Sequence, residues 1–279
     1  MSAVVTHFNA SHSRVARGPW RRLSVAAAAI AMVGNVAAVA AVERVYGSSY
    51  PSLTEQAIAQ DVTNLVVVSP MIIVFAAWAA RGSVRAYVGW LGALMFTVYN
   101  YVIYSVAIHF GPLFLLWVAV LGLSTYALLG SLITVEPAAV QANLHDDGRR
   151  FAGWFLIVAA ALFALLWLSD IIRALVAGGV PTAVTDLGVP TNPVHVLDLA
   201  VFLPAAALAG VLLLQRAPLG SVLAPALLMF LGLTGLPILL TPIVSQLLGN
   251  LASWGAVAPI AVITLTSLAL FVRTSRVIR

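Results

Sequence analysis

Hydrophobic positions in this chain come in long unbroken runs, with polar residues gathered into the short stretches between them. Runs at 23–42, 61–80, 87–110, 113–134, 151–175, 195–214, 221–245 and 255–272 are each long enough to cross a hydrocarbon core of about 30 Å at about 1.5 Å per residue. In lipid every backbone N–H and C=O must be bonded inside the protein, which leaves helices or a closed barrel. The runs are continuous rather than alternating, and rich in Ala and Leu, so they predict helices. The fold class expected is all-α: an integral membrane bundle of eight transmembrane helices. The polar breaks divide the chain into a tail at 1–22, a first four-helix unit at 23–134, a linker at 135–150, a second four-helix unit at 151–272 and a tail at 273–279.

Composition sharpens this picture. Of the 279 residues, 62% are hydrophobic and 8% are charged, against roughly 25% charged in ordinary soluble domains. So few charges cannot clothe a water-exposed surface, and the main expected partner is the lipid bilayer. Cysteine is absent, which excludes disulfides and thiolate metal sites. Lysine is absent too, so no Schiff-base cofactor such as retinal can be held. No cofactor is expected from the sequence, and the net charge of +5 reports topology rather than nucleic-acid binding.

The arginines fix the expected orientation. With eight alternating helices, Arg14, Arg17, Arg21, Arg22, Arg81, Arg85, Arg149, Arg150, Arg216, Arg273, Arg276 and Arg279 fall on one side, leaving Arg44 and Arg173 on the other. The positive-inside rule then places both ends in the cytoplasm, with the protein in a plasma membrane. The first run has a signal-like flank in Arg21, Arg22 and the small residues Ala38 to Ala40, but it is long for a signal core and is read as a retained span.

The second half carries a repeat of the first. The stretch from Asp61 through Asn64 to Pro70 lies over that from His195 through Asp198 to Pro204 at an offset of 134 residues. At the same offset Leu94, Met95 and Phe96 meet Leu228, Met229 and Phe230, and Trp20 meets Trp154. Chance similarity between Ala/Leu/Val-rich helices competes with this reading, but one register holds across three helices. Four helices per unit make a parallel tandem repeat, with a pseudo-two-fold axis along the membrane normal.

Ionisable and amide side chains inside a membrane are costly and therefore informative. Here Asp61, Asn64, Asn100, His109, Asp170, His195 and Asp198 all gather toward the side opposite the arginines, with Tyr99, Tyr101 and Tyr104 nearby. Asp61 and Asn64 are about 60° apart on a helix and share a face, as do His195 and Asp198. Asp61, Asn64, Asn100, His195 and Asp198 are the candidate contacts for a small solute. Each has a plainer reading beside it. Asp61 can be an acid favoured at a helix N-terminus, and His195 and Asp198 can simply bond each other. Asn100 can be packing glue between helices. Asn192 and Pro193 read as an N-cap and first helical residue, and Asp170 with Arg173 as a local ion pair. Pro70 and Pro204, lacking an N–H, free the carbonyls of Val66 and Ala200 and predict bends, while Pro225, Pro237, Pro242 and Pro259 predict breaks in the last two helices. The segments 43–60 and 176–194 are long enough to fold over the mouth on that side.

The stretches from Pro190 to Ala200, Arg81 to Ser83, Tyr99 to Tyr101 and Pro112 to Phe114 resemble a family of uncharacterised bacterial polytopic membrane proteins. The resemblance runs from the second helix onward. It implies the topology and a bacterial inner membrane, and no activity.

Three functions follow as expectations. The first is transport or permeation of an unidentified small solute through an extracytoplasmic-side polar cavity. The second is a membrane-embedded metal-dependent enzyme at the outer leaflet, with His109, His195 and Asp198, joined by Asp61, as the ligand set. The third is a non-catalytic assembly partner whose polar groups only hold helices together. No phosphate loop, His-Glu-x-x-His metal motif or Gly-x-Ser-x-Gly elbow is present.

Overall fold

A computed structural model of the chain describes residues 18–145 and 147–277; Arg14, Arg17 and Arg279 lie outside the described residues. Eight helices are long and apolar enough to cross a membrane: Pro19–Ala40 (span 1), Pro51–Ala79 (span 2), Val84–Ala107 (span 3), Phe114–Thr134 (span 4), Arg149–Val176 (span 5), Pro193–Leu214 (span 6), Pro218–Leu247 (span 7) and Val257–Thr274 (span 8). The protein is an all-α membrane bundle. Among the described residues the one β feature is an isolated bridge between Leu144 and Val277.

Span 3 is the most buried helix and packs along span 7, so these two form the centre of the bundle. Their close approach is set by a missing side chain: a Cβ on Gly92 would lie 2.4 Å from the Ala226 carbonyl oxygen. Residues 92 and 226 are themselves one repeat offset apart. Spans 1 and 4 close one flank, with Gly34 against Leu116 and Gly130 against the Trp20 ring. Span 3 is tied to them by polar contacts, Trp90 Nε1 donating to Ser24 Oγ at 3.2 Å and the Tyr87 hydroxyl to the Ser131 carbonyl at 2.9 Å. Spans 5 and 6 pack closely through Gly153 and Gly210. Spans 5 and 8, the counterparts of 1 and 4, barely touch. Span 5 is the least buried of the eight.

The arginine-bearing side is assembled from distant segments. The His145 N–H donates to the Arg276 carbonyl at 2.9 Å, joining the central linker to the C-terminal segment. Gln141 Nε2 donates to the Arg216 carbonyl at 2.8 Å, joining the linker to the turn after span 6.

Three expectations need correction. Span 2 begins at Pro51, well before the predicted start at Asp61, and Val42–Tyr46 is also helical. Most of the segment 43–60 is therefore helix rather than loop. Pro51 is pre-organised for a first turn, and the early polar residue Glu55 accepts from Ser245 Oγ and Asn250 Nδ2, both at 2.6 Å. Those bonds let a polar turn extend the helix. Asp61 thus sits deep in a span and cannot be a helix-terminal acid. Second, span 7 runs unbroken through Pro225, Pro237 and Pro242. Ending a helix in lipid strands several backbone groups, which costs more than one missing bond per proline. Pro259 lies in the first turn of span 8, where its missing N–H costs nothing.

Third, at Pro70 and Pro204 the helices do not simply bend. Each proline follows a π-helical turn, Asn64–Val68 in span 2 and Asp198–Phe202 in span 6. The Ser69 N–H bonds back to the Asn64 carbonyl, and the Leu203 N–H to that of Asp198, each five residues back. A wider turn swings away the carbonyl that the proline ring would strike. The two turns lie 134 residues apart, and each opens on one of the candidate polar residues.

Candidate functional site

A cavity of about 590 Å³ lies on the side opposite the arginines, between spans 2, 3, 5, 6, 7 and 8. It reaches down to Phe96, Ala160 and Phe230, near the middles of their helices, and the Gly92–Ala226 contact lies deeper along spans 3 and 7. The segment between spans 5 and 6 folds over its mouth, with Ala183, Asp186 and Leu187 on the wall. Ser52 Oγ donates to the Asp186 carbonyl, fastening this cover to the start of span 2. A Cβ on Gly188, whose φ is 64°, would meet the Tyr50 ring at 2.0 Å, so a glycine is needed where the cover crosses Tyr50.

Asn100, His195 and Asp198 all line this cavity. Asn192 caps span 6, its Oδ1 accepting from the Val194 N–H at 2.9 Å with Pro193 at the first position, which is the plain role expected of the pair. His195 is 5% exposed and Asp198 follows one turn deeper. No direct bond joins these two among the described residues; Trp167 links them instead. Its ring lies 4.7 Å from the His195 ring, and its Nε1 donates to Asp198 Oδ2 at 2.9 Å. The Tyr99 hydroxyl also engages the Asp198 carboxylate. Asp170 acts on His195 rather than on Arg173, whose Nε donates to the Ser169 carbonyl at 2.8 Å. The expected Asp170–Arg173 ion pair is absent among the described residues, because span 5 turns Asp170 toward span 6.

Asn100 is 2% exposed, and its Nδ2 has no hydrogen-bond partner among the described residues. A buried donor left unmade costs about 1–3 kcal/mol. It stands on the cavity wall, so packing glue does not describe it: nothing is glued.

Asp61 and Asn64 do not reach the cavity. Asp61 is fully buried, with the Tyr46 hydroxyl donating to Oδ2 at 2.6 Å and the Tyr104 hydroxyl to Oδ1 at 2.8 Å. Burial, and after it the Asp61 carboxyl, push the Tyr46 phenol up from its ordinary range, which keeps it a donor. Tyr104 is the partition, lining the cavity with one part and holding Asp61 with its hydroxyl. Behind it, Tyr101 stacks on Tyr104 at 5.5 Å and Trp117 lies 5.4 Å from Tyr104. The residues one offset on from Tyr101 and Tyr104 are Gly235 and Ile238. Bulky rings thus fill the interior of the first half, and the second half is left open. Asn64 lies in the π turn packed on span 1, 1% exposed, its Nδ2 also unpartnered among the described residues.

His109 stands apart from this site, its Nδ1 3.4 Å from Ser49 Oγ. It does not line the cavity that holds His195 and Asp198, so the expected ligand set is not assembled. Among the described residues no group of three His, Asp or Glu side chains is placed to hold a metal ion.

The sequence also underplayed the cavity's aromatic character. Tyr99 meets Phe202 at 5.0 Å and Phe230 at 5.4 Å, both edge to face, and Phe202 stacks on Phe230 at 4.5 Å. Trp167 could have been flagged as an indole well inside a span, since a buried indole N–H needs a partner. Phe230 was visible only as one term of the repeat. Comparison of this chain with protein-family models, curated proteins and solved structures finds no match.

Proposed function

We propose that this protein carries a small solute across the membrane, taking it up in the cavity walled by Asn100, His195 and Asp198. The observation that carries this reading is a roomy cavity, open toward one face, that presents a buried amide with no partner. Ligand pockets are commonly about 300–1,000 Å³, mostly apolar, with a few convergent polar groups. An assembly partner whose polar residues only joined helices would need no such space. Below the cavity the two central helices meet at Gly92 and Ala226, a contact placed where a carrier alternately opens and closes.

In this reading the arginine-bearing side is cytoplasmic, in a bacterial plasma membrane, and the cavity faces outward. The resemblance to bacterial polytopic proteins and the positive-inside rule support that orientation. The chain is a tandem duplication of four spans, supported by the matching π turns and by Gly92 meeting its own counterpart, Ala226. The two halves then differ in use: one is plugged by tyrosines, and the other binds.

The natural absence of cysteine makes the test direct. Single cysteines at Thr234, on the cavity wall, and at Val222, on the arginine side of the central contact, are treated with membrane-impermeant thiol reagents. Thr234→Cys is expected to react from the outside. Val222→Cys, fully buried here, is expected to react slowly from the cytoplasmic side, as the carrier visits its other state. A Val222→Cys protein inert from that side would argue against carriage.

A further inference from the structure

The walls of the cavity specify the kind of molecule that would occupy it. The ionisable residues among the lining are Tyr99, Tyr104, Asp186, His195 and Asp198. Two of these are carboxylic acids, no arginine is among them, and the chain has no lysine. Asp198 has Trp167 Nε1 on one oxygen and Tyr99 beside it, and no cation within ion-pairing reach among the described residues. A carboxylate has about four acceptor sites, so capacity remains for a donor from a ligand. An anionic head would meet like charge and no basic partner.

The remainder of the cavity is carbon. Phe96, Phe163, Phe202 and Phe230 contribute aromatic surface contiguous with Tyr99 and Trp167, the two residues that touch Asp198. A cation beside a carboxylate and over aromatic faces gains from both. The cavity also borders the seam between spans 5 and 8: Ala160 and Phe163 come from one side, Ala256 and Ile260 from the other, and those helices barely touch. An apolar body dissolved in the bilayer has a short way in there.

We infer that the ligand is a lipophilic amine, its ammonium held by Asp198 and its apolar body lodged between the aromatic walls and the seam of spans 5 and 8. This rests on the carrier reading and names its substrate class. Asn100 then offers its free amide N–H to an acceptor on the same molecule, and His195, held by Trp167, closes the polar end.

The test uses the full chain in lipid nanodiscs and three probes that share one phenylbutyl body, an amine, an alcohol and a carboxylate. Binding is followed by calorimetry against empty nanodiscs. Saturable binding in the order amine, alcohol, carboxylate is expected. Asp198→Asn should weaken the amine about tenfold or more while shifting the alcohol by no more than about twofold, since only the amine forms a charge-assisted bond. Ala160→Phe, which fills the cavity, should abolish binding of all three. Should Asp198→Asn fail to fold, the ranking of the probes on the unaltered protein decides alone. The inference is overturned if the carboxylate binds as well as the amine, if Asp198→Asn weakens amine and alcohol alike, or if no probe binds saturably. Amine binding intact in a protein whose Val222→Cys form stays inert would contradict carriage and leave the ligand assignment standing.

Discussion

At the scale of single residues, the buried acid Asp61 shows how a membrane interior tolerates a carboxyl group. No arginine approaches within ion-pairing distance among the described residues, and two phenol hydroxyls supply the donors instead. Removing one of them leaves the carboxyl partly unsatisfied in a site with no water to replace it. Tyr104→Phe is therefore expected to cost about 1–3 kcal/mol of stability, read as a lowered midpoint in a reversible unfolding assay in detergent. An unchanged midpoint would mean that the Tyr46 hydroxyl alone suffices. The sequence located Asp61, His195 and Asp198 because charge inside an apolar run is conspicuous. It could not show which would be sealed and which exposed. That depends on Tyr46, Tyr101 and Trp117 arriving from three different segments to fill the space beside Asp61.

At the scale of the helix, two devices set the architecture. The π turns relieve the prolines that follow them, and the sequence announced the prolines without saying how the backbone would answer. A bend and a widened turn both resolve the same clash, and the choice rests on neighbours packed around the helix. Glycine provides the second device. At Gly92 any side chain would drive spans 3 and 7 apart, whereas at Gly122 on span 4 nothing lies within 4 Å. Gly92→Val is expected to destabilise by about 1–3 kcal/mol, in line with overpacking of close-packed cores. Gly122→Ala should be neutral or slightly stabilising, as a helix gains when glycine is replaced. Equal effects of the two substitutions on thermal stability would contradict a tight central crossing. Helix ends were the least legible element. Span 2 began earlier than its apolar run because Glu55 found partners on Ser245 and Asn250, residues of span 7 and the loop after it.

At the scale of the whole molecule, eight apolar runs gave eight spans, since the need to bond every backbone group in lipid leaves the chain few alternatives. What the pattern could not convey was asymmetry between the halves. The offset of 134 residues aligns polar residues and prolines alike, yet spans 1 and 4 pack tightly while spans 5 and 8 stand apart. The cavity lies in that difference, and no residue in the second half signals an empty space by its identity. The account therefore turns on two sides of one membrane: arginines and chain ends on one, the mouth of the cavity on the other. The most direct test labels intact bacterial cells with an impermeant maleimide, comparing single cysteines at Thr241, on the cavity wall near the outer end of span 7, and at Arg276, exposed beside the end of span 8. Thr241→Cys should label in intact cells and Arg276→Cys only after permeabilisation. Labelling of Arg276→Cys in intact cells, or protection of Thr241→Cys until they are opened, would contradict it.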